Sequence, residues 1–238
     1  MRIRLRLNGP LSVPVAYHRI LQRTLYALFR EDDVGAWHDP HQFRPFTFSR
    51  LLGRARVVGH QITFPGPIDW WLSFRQVEHG RAVLAQVQTH PVLTVGTQSL
   101  PITEIAVEAP LSWSHDVMGV TTLSPIVADD NVAGRIVSYA PDDPAFVEHI
   151  GHNAQAKALQ FLGRPVAAVT ITPLETQLVR SWYGTTPVIG YRGRFLLGGE
   201  PAALELLYDI GIGRRNGLGF GCCYAFLPGS GERPVPHA

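Results

Sequence analysis

Three sets of residues in this 238-residue chain have the types needed for proton transfer or phosphate binding. The first is an irregular stretch from Ala36 to Pro45 that carries His38, His41 and Arg44. The second is a strip of His18, Gln22 and Tyr26, spaced i, i+4, i+8 on a stretch with helical periodicity. The third is Gly211-Ile-Gly-Arg-Arg-Asn-Gly-Leu-Gly-Phe-Gly221, with Arg214 and Arg215 at its middle. Histidine exchanges protons near neutral pH without help. Tyrosine and arginine can hold a phosphate whose charge grows in a transition state. No Asp/Glu cluster with metal-ligand spacing accompanies them, so no metal or other cofactor is expected. Histidine with tyrosine and arginine, and no metal, suits cleavage of RNA by its own 2′-hydroxyl.

The glycine-rich stretch excludes two familiar phosphate sites. It contains no GKS or GKT, and the third glycine of the dinucleotide fingerprint is replaced by Asn216. The order of elements is also reversed, helix then loop then strand, whereas both known loops run from strand to helix. Two readings stay open. Backbone N–H groups of Gly211, Gly213, Gly217, Gly219 and Gly221 could converge on an anion. Alternatively, the glycines mark a tight turn that sterics demand.

Other combinations carry less. His38-Asp39 and His115-Asp116 have no further His or Asp at metal spacing, and His149 and His152 lack a third ligand. A two-histidine phosphodiesterase needs Thr or Ser two positions after a histidine, and none of the ten histidines has it. Cys222 and Cys223 are strand neighbours pointing to opposite faces, which fits packing in a reducing compartment. The net charge is +2, so no single-sign field covers the molecule. Lys157 is the only lysine among 21 basic residues. The arginines cluster at 2, 4 and 6, at 50, 54 and 56, at Arg192 and Arg194, and at Arg214 and Arg215. Such clusters serve either nucleic-acid binding or solvated strand faces. The composition, 45% hydrophobic and 17% charged, supports a buried core, and no apolar run is long enough for a membrane helix. A cytoplasmic protein is the default expectation.

The elements that must position these residues read as follows. Residues 2–8 alternate as a strand, with Ile3, Leu5 and Leu7 on one face. A helix is predicted from Pro14 through Phe29. Strand-like stretches follow at 46–58, 61–64 and 68–75, then a helix over 76–89 and an extended segment over 92–107. The second half predicts strands at 119–127 and 133–139, a helix over 143–162, strands at 165–172 and 186–197, a short helix from Pro201, the glycine loop and a strand to Leu227. Both halves approximate β-α-β-β-α-β, an α+β protein of two tandem ferredoxin-like domains. The expected division is 1–115, 116–228 and a flexible tail over 229–238.

The glycine stretch, with Asn216 and the final Gly-Phe-Gly221, resembles the C-terminal signature of the CRISPR repeat-processing endoribonucleases. That family belongs to the repeat-associated RNA-binding superfamily. Val13-Pro-Val-Ala-Tyr17, Leu21-Gln22, Phe46-Thr-Phe-Ser49 and Thr122-Leu-Ser-Pro-Ile126 resemble it as well. The resemblance covers most of the chain. It implies a metal-independent endoribonuclease that cuts CRISPR precursor RNA within the repeat, leaving a 2′,3′-cyclic phosphate and a 5′-hydroxyl. It implies that Tyr26 matches the family's catalytic tyrosine and His38 its general acid/base. Arg44 falls where some members have a catalytic lysine, a departure, because arginine cannot give up a proton. His18 is the candidate second histidine, and His41 the rival to His38. The glycine loop with Arg214 and Arg215, helped by Arg192 and Arg194, would bind the RNA backbone. Repeat RNA is the expected partner, with other CRISPR complex subunits and a second copy of the chain as further candidates. A non-cleaving RNA-binding subunit of the same fold is the alternative.

Overall fold

The computed structural model describes residues 1–29 and 42–228. Strand β1 (Arg2–Leu7) runs through the middle of the first sheet. Ile3, Leu5 and Leu7 are wholly buried, as their alternation predicts. Antiparallel to β1 lie β6 (Ile68–Phe74) on one side and β8 (Gln98–Glu108) on the other. Beyond β6 is β3 (Phe46–Phe48), and beyond β8 is β7 (Val92–Val95). With helices α1 (His18–Tyr26) and α2 (Val77–Thr89), the chain order is β1-α1-β3-β6-α2-β8. The spatial order β3-β6-β1-β8 is the arrangement of a ferredoxin-like unit, with β7 added at one edge.

The first helix departs from its prediction. Pro14 does not open it. Leu11 and Val13 are buried and alternate with exposed Ser12 and Pro14, so they form strand β2 (Leu11–Pro14). This strand pairs with β5 (Gln61–Phe64), which pairs with β4 (Arg56–Val58), in a separate three-stranded sheet. The helix begins only at His18 and buries His18, Leu21, Thr24 and Leu25. The expected strand over 46–58 is two short pieces, β3 and β4, in different sheets.

The second unit repeats the plan with better order. Its elements are β9 (Val117–Thr122), the hairpin β10 (Asp129–Val132) and β11 (Arg135–Ser138), α3 (Pro144–Leu162), β12 (Thr170–Tyr183), β13 (Thr186–Gly198), α4 (Pro201–Ile210) and β14 (Cys223–Phe226). The sheet order β12-β13-β9-β14 is again ferredoxin-like, and all its pairs are antiparallel. Helix α3 starts where Asp143 accepts a bond from the Ala145 N–H, with Pro144 in the first turn, and ends at Gly163 with φ +69°. The β12–β13 ribbon extends well past the predicted 165–172 strand. Each unit has its own core, one built from residues between Ile3 and Ile102 and the other from residues between Met118 and Cys223. Among the described residues no helix is long and apolar enough to cross a membrane.

The two sheets meet along a mixed seam. Trp71, Leu123 and Cys222 form a small shared core. Arg2 is buried there, its guanidinium 4.3 Å from the Tyr208 ring and 5.3 Å from that of Trp71, with Glu108 at 3.8 Å. Arg75 bonds Asp209 at 2.9 Å across the same seam. Arg4 and Arg6 pair with Asp69 and Glu104. The arginines of β1 are therefore neutralised by local carboxylates and offer no free basic face. Cys222 and Cys223 are buried free thiols, in keeping with a packing role.

Candidate functional site

The glycine-rich loop is the hub around which the candidate residues collect, and it is mostly buried. Gly211, Ile212, Gly213, Asn216, Gly217, Gly219, Phe220 and Gly221 are all buried. After α4 the chain folds back on itself, with the Ile212 N–H bonded to the Gly221 carbonyl at 2.9 Å. The Asn216 side chain braces the inside, donating to the carbonyls of Ile212 (3.2 Å) and Phe220 (3.0 Å). Two glycines are sterically required. A Cβ on Gly221 would lie 2.0 Å from the Ile212 carbonyl oxygen, and one on Gly219 would lie 2.2 Å from the Phe48 ring. Both also have positive φ. Of the two readings left open for this stretch, the packing favours the sterically demanded turn. Most of this stretch is a packed turn, with Arg214 and Arg215 at its outer edge.

Those arginines are already engaged. Asp129, 2% exposed at its side chain, receives Arg215 through Nε at 2.7 Å and Nη2 at 2.6 Å. Arg214 donates to the Asp129 carbonyl and lies 3.3 Å from the Asp130 carboxylate. Arg215 takes a left-handed backbone, φ +63°, which this paired carboxylate helps to hold. Arg215 is therefore paired with Asp129 in this structure, and a phosphate would have to compete with that carboxylate for it. Arg214 keeps 45% of its side chain exposed.

Beneath the loop, Lys157 of α3 is fully buried and donates to the carbonyls of Gly211 and Gly213, both at 2.8 Å. Its Nζ also lies 5.8 Å from the Phe43 ring. Burial pushes its ammonium well below the ordinary value of 10.5. The unfolded chain then binds more protons than the folded one between the lowered value and 10.5. Stability from this site rises with pH across that window and is lost as pH falls. Replacing Lys157 by Met removes the titration and leaves two carbonyls unpaired. Urea unfolding from pH 7 to 10 should show the wild type gaining stability relative to Lys157→Met as pH rises. Parallel curves would mean that Lys157 titrates normally.

On its other side the loop meets α1. Gln22 Nε2 donates to the Gly217 carbonyl at 2.9 Å, and Tyr183 at the end of β12 bonds Gln22 Oε1 at 2.6 Å. Arg44 lies directly over Gly217, where an added Cβ would come within 2.6 Å of its Cγ. The Tyr26 hydroxyl lies within the electrostatic reach of Arg44, and its ring meets Phe46 edge-on at 6.0 Å. Burial raises the Tyr26 phenol above its ordinary value, and the Arg44 charge only partly opposes this. Tyr26 therefore keeps its proton at neutral pH and acts as a donor. The Phe43 main chain, just before Arg44, is bracketed by the Gln160 amide, with bonds of 2.9 and 3.0 Å. Two carriers of phosphate chemistry, a protonated tyrosine and an arginine, thus stand together where the two units meet.

His18 is not part of that pair. It is 1% exposed, stacked 4.4 Å from Phe220, with Nδ1 3.3 Å from the Leu218 carbonyl. A carbonyl only accepts, so Nδ1 bears the hydrogen. Burial, followed by the nearby Arg50 charge, lowers its pKa to about 3. A neutral, enclosed imidazole cannot reach a phosphate, so its assignment as a second catalytic histidine is corrected to packing under the loop. His38 and His41 lie outside the described residues. Arg192 bonds Gln177, and Arg194 stacks 4.8 Å from the Phe226 ring, both on β13. Among the described residues no group of three His, Cys, Asp or Glu could hold a metal ion.

Sequence reasoning passed over Asp129, Gln160 and Tyr183, because each acts on a partner more than 80 residues away. Lys157 carried a visible sign, being the only lysine in the chain.

Comparison with known proteins bears on this arrangement. The family model described as CRISPR associated protein Cas6, C-terminal, matches residues 108–225. The fold is similar to that of a Cas6-related gene product from Pyrococcus furiosus (TM-score 0.83, 19% identity, 96% of this chain and 99% of that one). It is also similar to a RAMP protein binding different RNA substrates (0.81, 22%, 95% and 100%). A Cas6 solved as a product complex matches at 0.67 and 14%, over 94% and 99%. At these identities the likeness concerns the fold. No curated protein sequence matches the chain. Residues 108–225, which include the braced glycine loop, match the C-terminal region of the CRISPR-associated Cas6 family.

Proposed function

We propose that the chain is a metal-independent endoribonuclease that cuts CRISPR precursor RNA within the repeat. The observation that carries this reading is the proximity of Tyr26 to Arg44, which rests on Gly217 at the junction of the two units, in a chain with a Cas6 C-terminal region. The 2′-oxygen attacks the adjacent phosphorus as its proton leaves to a base, and the bond from phosphorus to the 5′-oxygen breaks as that oxygen gains a proton. The products are a 2′,3′-cyclic phosphate and a 5′-hydroxyl. In this reading His38 transfers the protons, while Tyr26 donates to, and Arg44 balances, the charge gathering on the phosphate. The RNA lies across the junction between units 1–115 and 116–228, and Arg214 contributes a phosphate contact from the loop edge. A similarly folded RAMP protein described as binding different RNA substrates supports RNA as the ligand.

Incubation with transcripts of CRISPR repeats tests the reading. Cleavage at one position within the repeat is expected, undiminished in excess EDTA, with cyclic-phosphate ends. Loss of cutting in EDTA and recovery with Mg²⁺ or Mn²⁺ sinks the mechanism. One observation favours a second reading, an RNA-binding subunit that does not cut. By the family resemblance Arg44 falls where some members have a catalytic lysine, and it can serve only as a charge. Tight repeat binding with intact RNA after prolonged incubation is the outcome that reading requires.

A further inference from the structure

One side chain beside Gly217 comes from the second unit. Tyr183 closes β12 at the turn into β13, and its ring packs with Leu218 against Val127, Val188 and Phe220. Its hydroxyl is 2.6 Å from Gln22 Oε1. Chemistry fixes the direction of this bridge. The Gly217 carbonyl can only accept, so the Gln22 atom 2.9 Å from it is the amide nitrogen. The amide oxygen therefore faces Tyr183, whose hydroxyl must donate. The order is Tyr183 to Gln22 to Gly217, with one proton arrangement available.

Each link has a consequence for the site. Gln22 lies one helical turn before Tyr26 on α1. Gly217 is the floor on which the Arg44 stem rests. Without the tyrosine hydroxyl, the Gln22 oxygen loses its donor and the amide is free to rotate. The Gly217 carbonyl then loses its side-chain anchor, and the main chain under Arg44 loosens. Neither Gln22 nor Tyr183 needs to touch the RNA for this to matter.

We propose that Tyr183 is a positioning residue of the cleavage site, fixing through Gln22 the Gly217 main chain that seats Arg44. The inference rests on the endoribonuclease reading, and it makes the site a joint product of both units. A neutral hydrogen bond contributes about 0.5–1.5 kcal/mol, so its loss corresponds to roughly a two- to tenfold change in rate. Tyr183→Phe and Gln22→Ala should each slow single-turnover cleavage by about that factor. The double variant should be no slower than the slower single variant, because both break one chain of bonds. Affinity for repeat RNA should stay within about twofold of the wild type, since the bridge seats a reacting group and does not bind RNA.

Amide hydrogen exchange over residues 214–221 reads the bridge without any cleavage, and it should be faster in Tyr183→Phe. Effects that multiply in the double variant, or a loss of affinity at unchanged rate, overturn the proposal and make Tyr183 a separate RNA contact. Unchanged rate and unchanged exchange in Tyr183→Phe also overturn it, while leaving the endoribonuclease reading intact. Faster exchange in Tyr183→Phe, with a wild type that binds repeat RNA and leaves it uncut, supports the bridge and overturns the endoribonuclease reading.

Discussion

Replacing His38 by alanine should slow single-turnover cleavage of repeat RNA by about 10²–10⁴, the range of a general acid–base group. RNA affinity should change little. The described residues around the site leave this role unfilled. His18 is enclosed, bonded to Leu218 and neutral, with a pKa near 3. Burial keeps Tyr26 protonated, so it can donate but is a poor base at neutral pH. Arg44 does not release a proton. A group that both takes and returns a proton near pH 7 is still needed, and histidine is the side chain suited to it. His38 and His41 are the histidines in the stretch leading into Arg44. The pH dependence separates a lost proton carrier from a disturbed fold. Wild-type cleavage should change with pH across the near-neutral range in which histidine exchanges protons, and His38→Ala should lose that dependence. Full activity in His38→Ala, with a deep loss in His41→Ala, moves the role three residues along. Full activity in both variants removes the histidine mechanism altogether.

What the sequence disclosed follows from how local each cause is. Ile3, Leu5 and Leu7 alternate over six residues, and β1 is where that alternation places it. Helix α3 declares both ends, through Asp143-Pro144 and Gly163. The four-residue strand β2 is different. Val13-Pro14 precedes a helical stripe and looks like a helix start, and only pairing with β5 makes it a strand. The β12–β13 ribbon was hidden in the same way. Leu174, Leu178 and Trp182 are exposed, so no burial pattern marks them, and the strand is defined by its return partner. The site shows the same division. Tyr26 and Arg44 were legible as types at recognisable positions. That Asp129 holds Arg215, or that Tyr183 reaches Gln22, depends on contacts across 86 and 161 residues. Arginine clusters mislead in particular, because sequence displays the cations together and their carboxylates far apart. Arg4 and Arg6 meet Asp69 and Glu104 only after the sheet forms.

The two loop arginines should therefore behave differently. Arg215→Ala leaves the Asp129 carboxylate, 2% exposed, with only the more distant Arg214 Nε at 3.7 Å as a charged partner. Removing one partner of a buried ion pair costs about 3–5 kcal/mol. Arg215 is itself 22% exposed, so the lower end applies, about 3 kcal/mol. In a protein of this size that corresponds to a fall of roughly 6–12 °C in Tm. Asp129→Asn added to Arg215→Ala should recover a large part of the loss, because the unpaired charge is what destabilises. Arg214→Ala should melt close to the wild type, since its side chain is 45% exposed. Its effect should fall on binding instead, lowering the dependence of RNA affinity on salt by about one counterion, alike for cognate and mismatched repeats. Thermal unfolding of the three variants, with repeat binding at several salt concentrations, separates the two roles. If Arg215→Ala melts like the wild type and loses affinity and salt slope, Arg215 releases Asp129 to hold phosphate, and the outer edge of the glycine loop is an RNA contact at both arginines.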